Sequence, residues 1–143
     1  MPYRYLEDIV ISDVVFEAWG ETLEETFVSA GDATQNVMVQ DLDSIRDRER
    51  RPIRIEDASL EMLLFHFLLE LIYFKDAEEL LLRVPAVEIR DLGSGYSLHA
   101  EAYGERLDPK RHTLLVDVKA VTLHRFSLKK TAQGWEASVV LDI

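Results

Sequence analysis

The sequence predicts an α+β fold in which two helices pack on a largely antiparallel β-sheet or sandwich. Two segments in the first half carry helix signals, whereas almost everything after residue 80 is alternating or enriched in apolar residues, as strands are. With 143 residues, of which 48% are hydrophobic, the chain is long enough to build one core. We therefore expect a single domain over residues 1–143.

A capping signal predicts the first helix. A short strand is expected at Val14–Trp19 and should end at Gly20, and Thr22 is followed three residues later by Glu25, which is the spacing of a capping box. Small or apolar residues then recur at three- and four-residue spacing, which places Leu23, Phe27, Ala30, Thr34 and Val37 on one helical face. The helix should end near Met38.

The second helix is predicted to be the centre of the core. A short strand at Pro52–Glu56 precedes Ser59, which can cap a helix that runs to about Lys75. Nearly every face of this helix is apolar, so we expect it between layers or at an assembly surface, with a homo-oligomer as one outcome. His66 and Glu70, four residues apart, are expected to form a buried hydrogen-bonded pair.

The rest of the chain is predicted to be strands. Pro85 should divide the first of them, because proline has no N–H to donate to a ladder. Glycine-containing turns are expected at Gly93–Gly95 and Thr131–Gly134. The predicted strand segments are Leu80–Asp91, Tyr96–Glu105, Thr113–Lys129 and Trp135–Asp142.

Charge and composition indicate which classes of partner and which location to expect. The formal net charge of −11 disfavours direct binding to nucleic acid and favours a basic protein partner. The arginine-rich stretch Arg46–Arg54 contains acids as well and is expected to be a solvated turn that enters a strand. No apolar run is long enough to span a membrane, and the sequence has no cysteine and no signal-peptide pattern, so a cytoplasmic location is expected.

Two aspartates far apart in the sequence form a candidate cation site. The final residues, Leu141-Asp142-Ile143, gather a side-chain carboxylate, main-chain carbonyls and a terminal carboxylate, and Asp13 joins them if the first and last strands pair. These hard oxygens suit a divalent cation, in particular Ca²⁺, which takes about six to eight oxygens, so water, Asp41 or Asp43 must complete the set. The alternative is two exposed acids at strand ends.

Three further residues are candidates for contact with a partner. A regular strand would place Lys119, Val121 and Leu123 on one face and His124 on the other, so Lys119 and His124 would not form a pair. Lys119 is either a partner-facing cation or an ordinary surface residue, and His112 is expected in a turn. No phosphate loop, nucleophile elbow or zinc spacing is present, so no catalytic set is predicted.

The chain resembles the archease family. The pieces that carry the resemblance occur in the family's order: Tyr5-Leu6-Glu7, Ser12-Asp13-Val14, Ala18-Trp19-Gly20-Glu21-Thr22-Leu23-Glu24-Glu25, Leu68-Leu69-Glu70-Leu71-Ile72-Tyr73, Tyr103-Gly104-Glu105, Arg111-His112, Val118-Lys119-Ala120-Val121-Thr122-Leu123-His124 and Asp142-Ile143. The family usually has a His-Thr-Ala-Asp-type stretch before the first strand, whereas this chain has Glu7–Asp13 without the histidine.

The resemblance implies a function for the chain. It implies a similar α/β sandwich and a protein that is not an enzyme but activates an RtcB-type RNA ligase in tRNA splicing and RNA repair, by promoting ligase guanylylation and multiple turnover. It also implies a divalent cation held by Asp13, Asp142 and Ile143. Two alternatives are a chaperone-like modulator of a tRNA-modifying enzyme and a small metal-dependent hydrolase that uses the two aspartates and a histidine.

Overall fold

The computed structural model describes residues 2–6 and 13–143, which form two helices and two antiparallel sheets. The elements in chain order are β1 (Tyr3–Leu6), β2 (Asp13–Gly20), α1 (Leu23–Met38), β3 (Glu49–Asp57), α2 (Leu60–Glu78), β4 (Leu80–Arg83), β5 (Val87–Asp91), β6 (Tyr96–Arg106), β7 (Ala120–Thr131) and β8 (Gly134–Asp142). A single 3₁₀ turn, Leu42–Ser44, links α1 to β3. The predicted α+β class is confirmed.

Each sheet contains four strands. The first has the order β1-β2-β8-β7, so the last strand lies between an early strand and a late one. In the second sheet β6 pairs with β3 on one side and with both β4 and β5 on the other. The break between β4 and β5 includes Pro85, as predicted from its missing N–H.

The cap of α1 is built as predicted. Thr22 Oγ1 accepts a hydrogen bond of 3.1 Å from the Glu25 N–H, and Glu25 Oε2 accepts one of 3.1 Å from the Glu21 N–H. The first bond satisfies a main-chain donor that an α-helix leaves free at its start, and the second fixes the residue before the cap. Both helices contact strands of both sheets, so they form a layer between the sheets.

Helix α2 supplies much of the core. Phe67, Leu68 and Leu71 are fully buried, whereas Tyr73 on the outer side is 57% exposed. Ser59 Oγ accepts a hydrogen bond of 3.2 Å from the Met62 N–H at the start of the helix. Among the described residues, neither helix combines the length and apolar character that crossing a membrane requires.

The predicted strand Thr113–Lys129 is wrong over its first seven residues, because β7 begins only at Ala120. The preceding segment instead runs along the end of α1, where the Leu115 N–H donates a 2.8 Å hydrogen bond to the Met38 carbonyl. Its main chain is therefore hydrogen-bonded without forming a strand of either sheet. Its β-type contact is an isolated bridge between Leu114 and Val39.

A buried lysine holds the end of this segment. Lys75 on α2 is buried, and its ammonium donates to the Asp117 carboxylate and, at 2.8 Å, to the Val118 carbonyl. Asp76 Oδ1 lies 2.7 Å from the same nitrogen. The buried charge is thus balanced by two carboxylates and fixes the chain just before β7.

The expected pair of His66 with Glu70 is wrong. His66 Nδ1 lies 2.7 Å from Asp57 Oδ2 at the end of β3, and the histidine is only partly buried. The helical spacing placed His66 and Glu70 on one face, but the neighbouring strand offers the histidine a closer carboxylate.

Candidate functional site

The structure brings Asp13 and Asp142 together. They are directly opposite partners in the antiparallel ladder between β2 and β8, so their side chains lie on the same face of the sheet, with Cβ atoms about 5 Å apart. On its other side Asp142 is opposite Ala120 of β7, whose methyl group leaves space beside the carboxylates. Like charges in this position repel, which a bound cation would relieve.

The two carboxylates lie on the face of the sheet that points away from the helices. The next row along, Val14 with Leu141 and Val121, packs in the hydrophobic core. Successive residues of a strand alternate between faces, so Asp13 and Asp142 lie on the opposite face. Their position leaves them free to bind a ligand without opening the core.

Thr122 lies on the same face as Asp142, because it is two residues along β7 from Ala120. Its hydroxyl is buried and has no hydrogen-bond partner within residues 2–6 and 13–143. A buried hydroxyl without a partner is costly and often marks a ligand or water. Sequence reasoning missed this residue, although it lies in the quoted stretch between Val118 and His124.

The main chain of Lys119 is hydrogen-bonded to Asp142. Its N–H donates a hydrogen bond of 2.8 Å to the Asp142 carbonyl, immediately before β7 begins. The residue is exposed. The main chain of Lys119 is therefore fixed next to Asp142, and its side chain is open to a partner.

His124 lies in a bulge of β7. Thr122 pairs with Val140 and Ser127 with Ser138, so the residues between them on β7 exceed those on β8. The expected alternation therefore fails after Thr122, and Leu123 is 58% exposed. Arg125 in the bulge has a φ of 54°, an uncommon value for a residue with a side chain.

His112 is buried, only 2% exposed, in the turn where it was expected. The Asp108 N–H donates a 2.9 Å hydrogen bond to Nδ1, so the proton of the neutral ring lies on Nε2, 3.0 Å from Glu105 Oε2. These hydrogen bonds indicate a structural role for His112, which links β6 to the turn that follows it.

Glu105 is the centre of this buried network, and sequence reasoning missed it. Its carboxylate accepts hydrogen bonds from the Arg46 N–H at 2.8 Å, Arg46 Nε at 3.0 Å, Arg111 Nη1 at 2.7 Å and His112 Nε2 at 3.0 Å. Burial raises the pKa of Glu105, but the hydrogen bonds from Arg46, His112 and Arg111 outweigh it and lower the pKa to about 2. The sequence signal was its place in the quoted piece Tyr103-Gly104-Glu105, which gave no indication of its partners.

Within residues 2–6 and 13–143, no third acid completes a metal site with Asp13 and Asp142. Asp41 Oδ1 accepts a 3.0 Å hydrogen bond from the Asp43 N–H, and Asp43 Oδ1 lies 3.5 Å from an Arg83 nitrogen. Neither is grouped with Asp13 and Asp142, so of the alternatives for completing the site, water remains. Within the described part of the chain, no three His, Cys, Asp or Glu side chains are placed to hold one metal ion. Neither His112 nor His124 joins the Asp13–Asp142 pair as a ligand set.

Comparison with known proteins assigns the chain to a family. The model of the Archease protein family (MTH1598/TM1083) matches residues 3–143. The chain belongs to the archease family. Protein archease of Methanosarcina mazei is 38% identical over 142 residues, covering 99% of this chain and 95% of that protein. Protein archease of Pyrococcus abyssi is 38% identical over 133 residues, covering 92% of this chain and 93% of that protein.

Solved structures of archeases share the architecture. The solution structure of Methanobacterium thermoautotrophicum protein 1598 matches with a TM-score of 0.85 and 29% identity over 99% of each chain. A crystal structure described as an archease, possible chaperone, from Thermotoga maritima matches with a TM-score of 0.60 and 15% identity, covering 98% of this chain and 99% of that one, which shows the fold alone. The altered stretch of this archease at residues 7–12 lies outside the described residues.

Proposed function

We propose that this archease activates an RtcB-type RNA ligase in the cytoplasm, during tRNA splicing and RNA repair. It acts as a protein cofactor that promotes guanylylation and multiple turnover of the ligase, and it is not itself the enzyme. The observation that carries the proposal is the pairing of Asp13 with Asp142, next to the main chain of Lys119, in a chain of the archease family.

A Ca²⁺ ion is the proposed cofactor of the archease. The Asp13 and Asp142 carboxylates, Ile143 next to Asp142, and the Thr122 hydroxyl would supply hard oxygens, which fit Ca²⁺ by their chemistry. Two carboxylates are few for this ion, so water must complete the set. The bound ion would remove the repulsion between the carboxylates and add a positive charge beside Lys119.

Charge supports a basic partner. The net charge of −11 favours encounter with the basic, phosphate-binding mouth of such a ligase. Three arginines of the stretch Arg46–Arg54, namely Arg46, Arg50 and Arg51, form ion pairs with carboxylates, which fits the expectation that this stretch does not bind nucleic acid. If steering contributes, the archease-dependent rate of guanylylation should fall as salt rises; a rate independent of ionic strength would argue against it.

Neutralising one aspartate tests the site. In Asp13→Asn or Asp142→Asn, Ca²⁺ affinity measured by calorimetry and stimulation of ligase guanylylation should both fall about tenfold or more, while the melting temperature stays near that of the native protein. Glu101→Gln is the control, because Glu101 is an exposed acid of the second sheet. If both aspartate variants bind Ca²⁺ with native affinity, the two aspartates do not form a cation site. If both stimulate the ligase like the native protein, the site is not needed for ligase activation.

A chaperone-like role is the second candidate. The segment before β7 exposes three consecutive large apolar residues, and the bulge exposes one more: Leu114, Leu115, Val116 and Leu123. Contiguous exposed apolar residues are typical of protein-binding surfaces. Suppression of light scattering by an unrelated aggregating protein, lost in Leu115→Ser and Val116→Ser, would favour this role over a ligase-specific one.

A further inference from the structure

A groove of about 720 Å³ runs along the outer side of α1. Its floor includes Glu24, Val28 and Asp32, which helical spacing places on one face. Pro2 and Trp19 belong to the side of the first sheet, and the Pro85–Val87 segment to the side of the second. Because α1 lies between the sheets, the groove is the slot that remains between their edges.

The groove combines an apolar lining with negative charge. Six of its residues are apolar: Pro2, Trp19, Val28, Pro85, Ala86 and Val87. Four carry carboxylates: Glu21, Glu24, Glu25 and Asp32. Of the described residues that line it, none is a lysine, arginine or histidine. A ligand with positive charges next to an apolar group would be complementary to this lining.

The fold uses only some of these carboxylates. Glu25 completes the cap of α1, and Asp32 Oδ1 lies 3.2 Å from Arg83 Nε. Burial raises the pKa of Asp32 and the neighbouring Arg83 lowers it, with the net effect upward. Within residues 2–6 and 13–143, Glu21 and Glu24 form no ion pair, so their side chains remain available to a ligand.

The groove continues beyond α1. A second depression of about 360 Å³ shares Trp19, Gly20 and Glu21 with it and adds Trp135 and Glu136 from β8. The combined surface is thus a trough with aromatic and acidic residues along its length. Its shape suits an extended chain better than a compact ligand.

We propose that this trough binds an extended basic segment of a protein partner. A bulky apolar side chain of the segment occupies the slot over Val28, and lysines or arginines next to it, toward the start of α1, bind Glu24 and Glu21. Trp135 and Glu136 bind the residues that follow. Aromatic and acidic side chains together are suited to cationic side chains, because both attract positive charge.

The trough is separate from the Asp13–Asp142 site. β2 runs from Asp13 to Gly20, so a rise of about 3.3 Å per residue puts its trough end about 23 Å from Asp13. The inference therefore does not depend on ligase activation, and each can fail without the other.

Peptide binding tests the inference with the full chain. The probes are a fluorescein-labelled eight-residue peptide of alternating lysine and leucine, its counterpart with glutamate in place of lysine, and spermine as a competitor. In fluorescence anisotropy the basic peptide should bind and the acidic one should not. Glu24→Lys should weaken binding about tenfold, and Val28→Ser should weaken it several-fold without changing the charge.

Glu61→Lys is the matched control. Glu24 and Glu61 are first-turn glutamates of α1 and α2, so both changes alter net charge and helix-terminus electrostatics alike. The inference predicts less than a twofold effect of Glu61→Lys and native affinity in Asp13→Asn. Equal losses of peptide affinity in Glu24→Lys and Glu61→Lys would show non-specific attraction to an acidic protein. If spermine competes with the peptide and Val28→Ser does not change this competition, the trough is a site for small polycations. Either result would overturn the inference.

Discussion

Glu105 Oε2 lies 3.0 Å from Nε2 of His112, and this contact joins β6 to the turn that follows it. The same carboxylate also binds Arg46 and Arg111. Four donors around one buried carboxylate connect three separate parts of the chain. This network holds the start of the segment that leads to Lys119.

Glu105→Ala should destabilise the protein strongly. Removal of the carboxylate leaves the buried His112 and two arginine side chains without their acceptor, and loss of one member of a buried charged network costs about 3 kcal/mol or more. Urea unfolding checks the prediction. Glu101→Ala, an exposed acid of the same strand, is the control and should change stability by less than about 0.5 kcal/mol.

The Glu105 network should also set part of the acid stability. The pKa of Glu105 is about 2 in the folded protein against an ordinary value of 4.5, so its stabilising effect is fully present above pH 4.5. Between pH 4.5 and about 2 the unfolded chain binds the proton first, and the effect is progressively lost. The difference in unfolding free energy between native protein and Glu105→Gln should therefore shrink over this interval; a constant difference would contradict the prediction.

Lys75→Met should loosen the segment before β7. The change removes the ammonium that binds the Val118 carbonyl and the Asp117 carboxylate, and leaves a buried acceptor unsatisfied at a cost of about 1–3 kcal/mol. Hydrogen exchange of the Leu115 amide, which bonds to Met38, should accelerate more than exchange in the centre of β8. Equal acceleration everywhere would indicate a global effect instead.

Lys119→Ala should weaken ligase stimulation without loss of stability. Its side chain is exposed, and alanine retains the main-chain N–H that bonds to the Asp142 carbonyl. Guanylylation assays and thermal unfolding should be measured side by side, with Lys130→Ala, an exposed lysine near the other end of β7, as the control. Unfolding of Lys119→Ala, or equal loss of stimulation in both variants, would contradict the assignment.

Local signals predicted the helices well. The starts of α1 and α2 follow from Thr22 and Ser59, whose side chains bind main-chain donors within three residues, so neighbouring sequence contains all that is needed. The division of the strand at Pro85 was predictable for the same reason. The end of α2 was placed three residues early because Glu79, which ends it in a left-handed conformation, carries no glycine signal.

Long-range features were harder to predict. The bulge after Thr122 depends on the register with β8, and nothing in the local alternation marks it. The start of β7 was predicted too early, because the apolar residues Leu114–Val116 are held outside the sheet by main-chain hydrogen bonds to α1. Arg46 binds Glu105 from 59 residues away in the sequence, and the partner of His66 lies on a different element, β3. Of the candidate site, the proximity of Asp13 and Asp142 was predictable only on the condition that their strands pair.

The central position of β8 has a consequence for biosynthesis. Because β8 lies between β2 and β7, the first sheet cannot close until Gly134–Asp142 has left the ribosome, and its long-range pairing slows folding. Asp13 acquires its partner carboxylate only at that step. A cation that binds the pair would therefore select chains in which β2 and β8 have paired, and by binding only this folded form it would shift the folding equilibrium toward it.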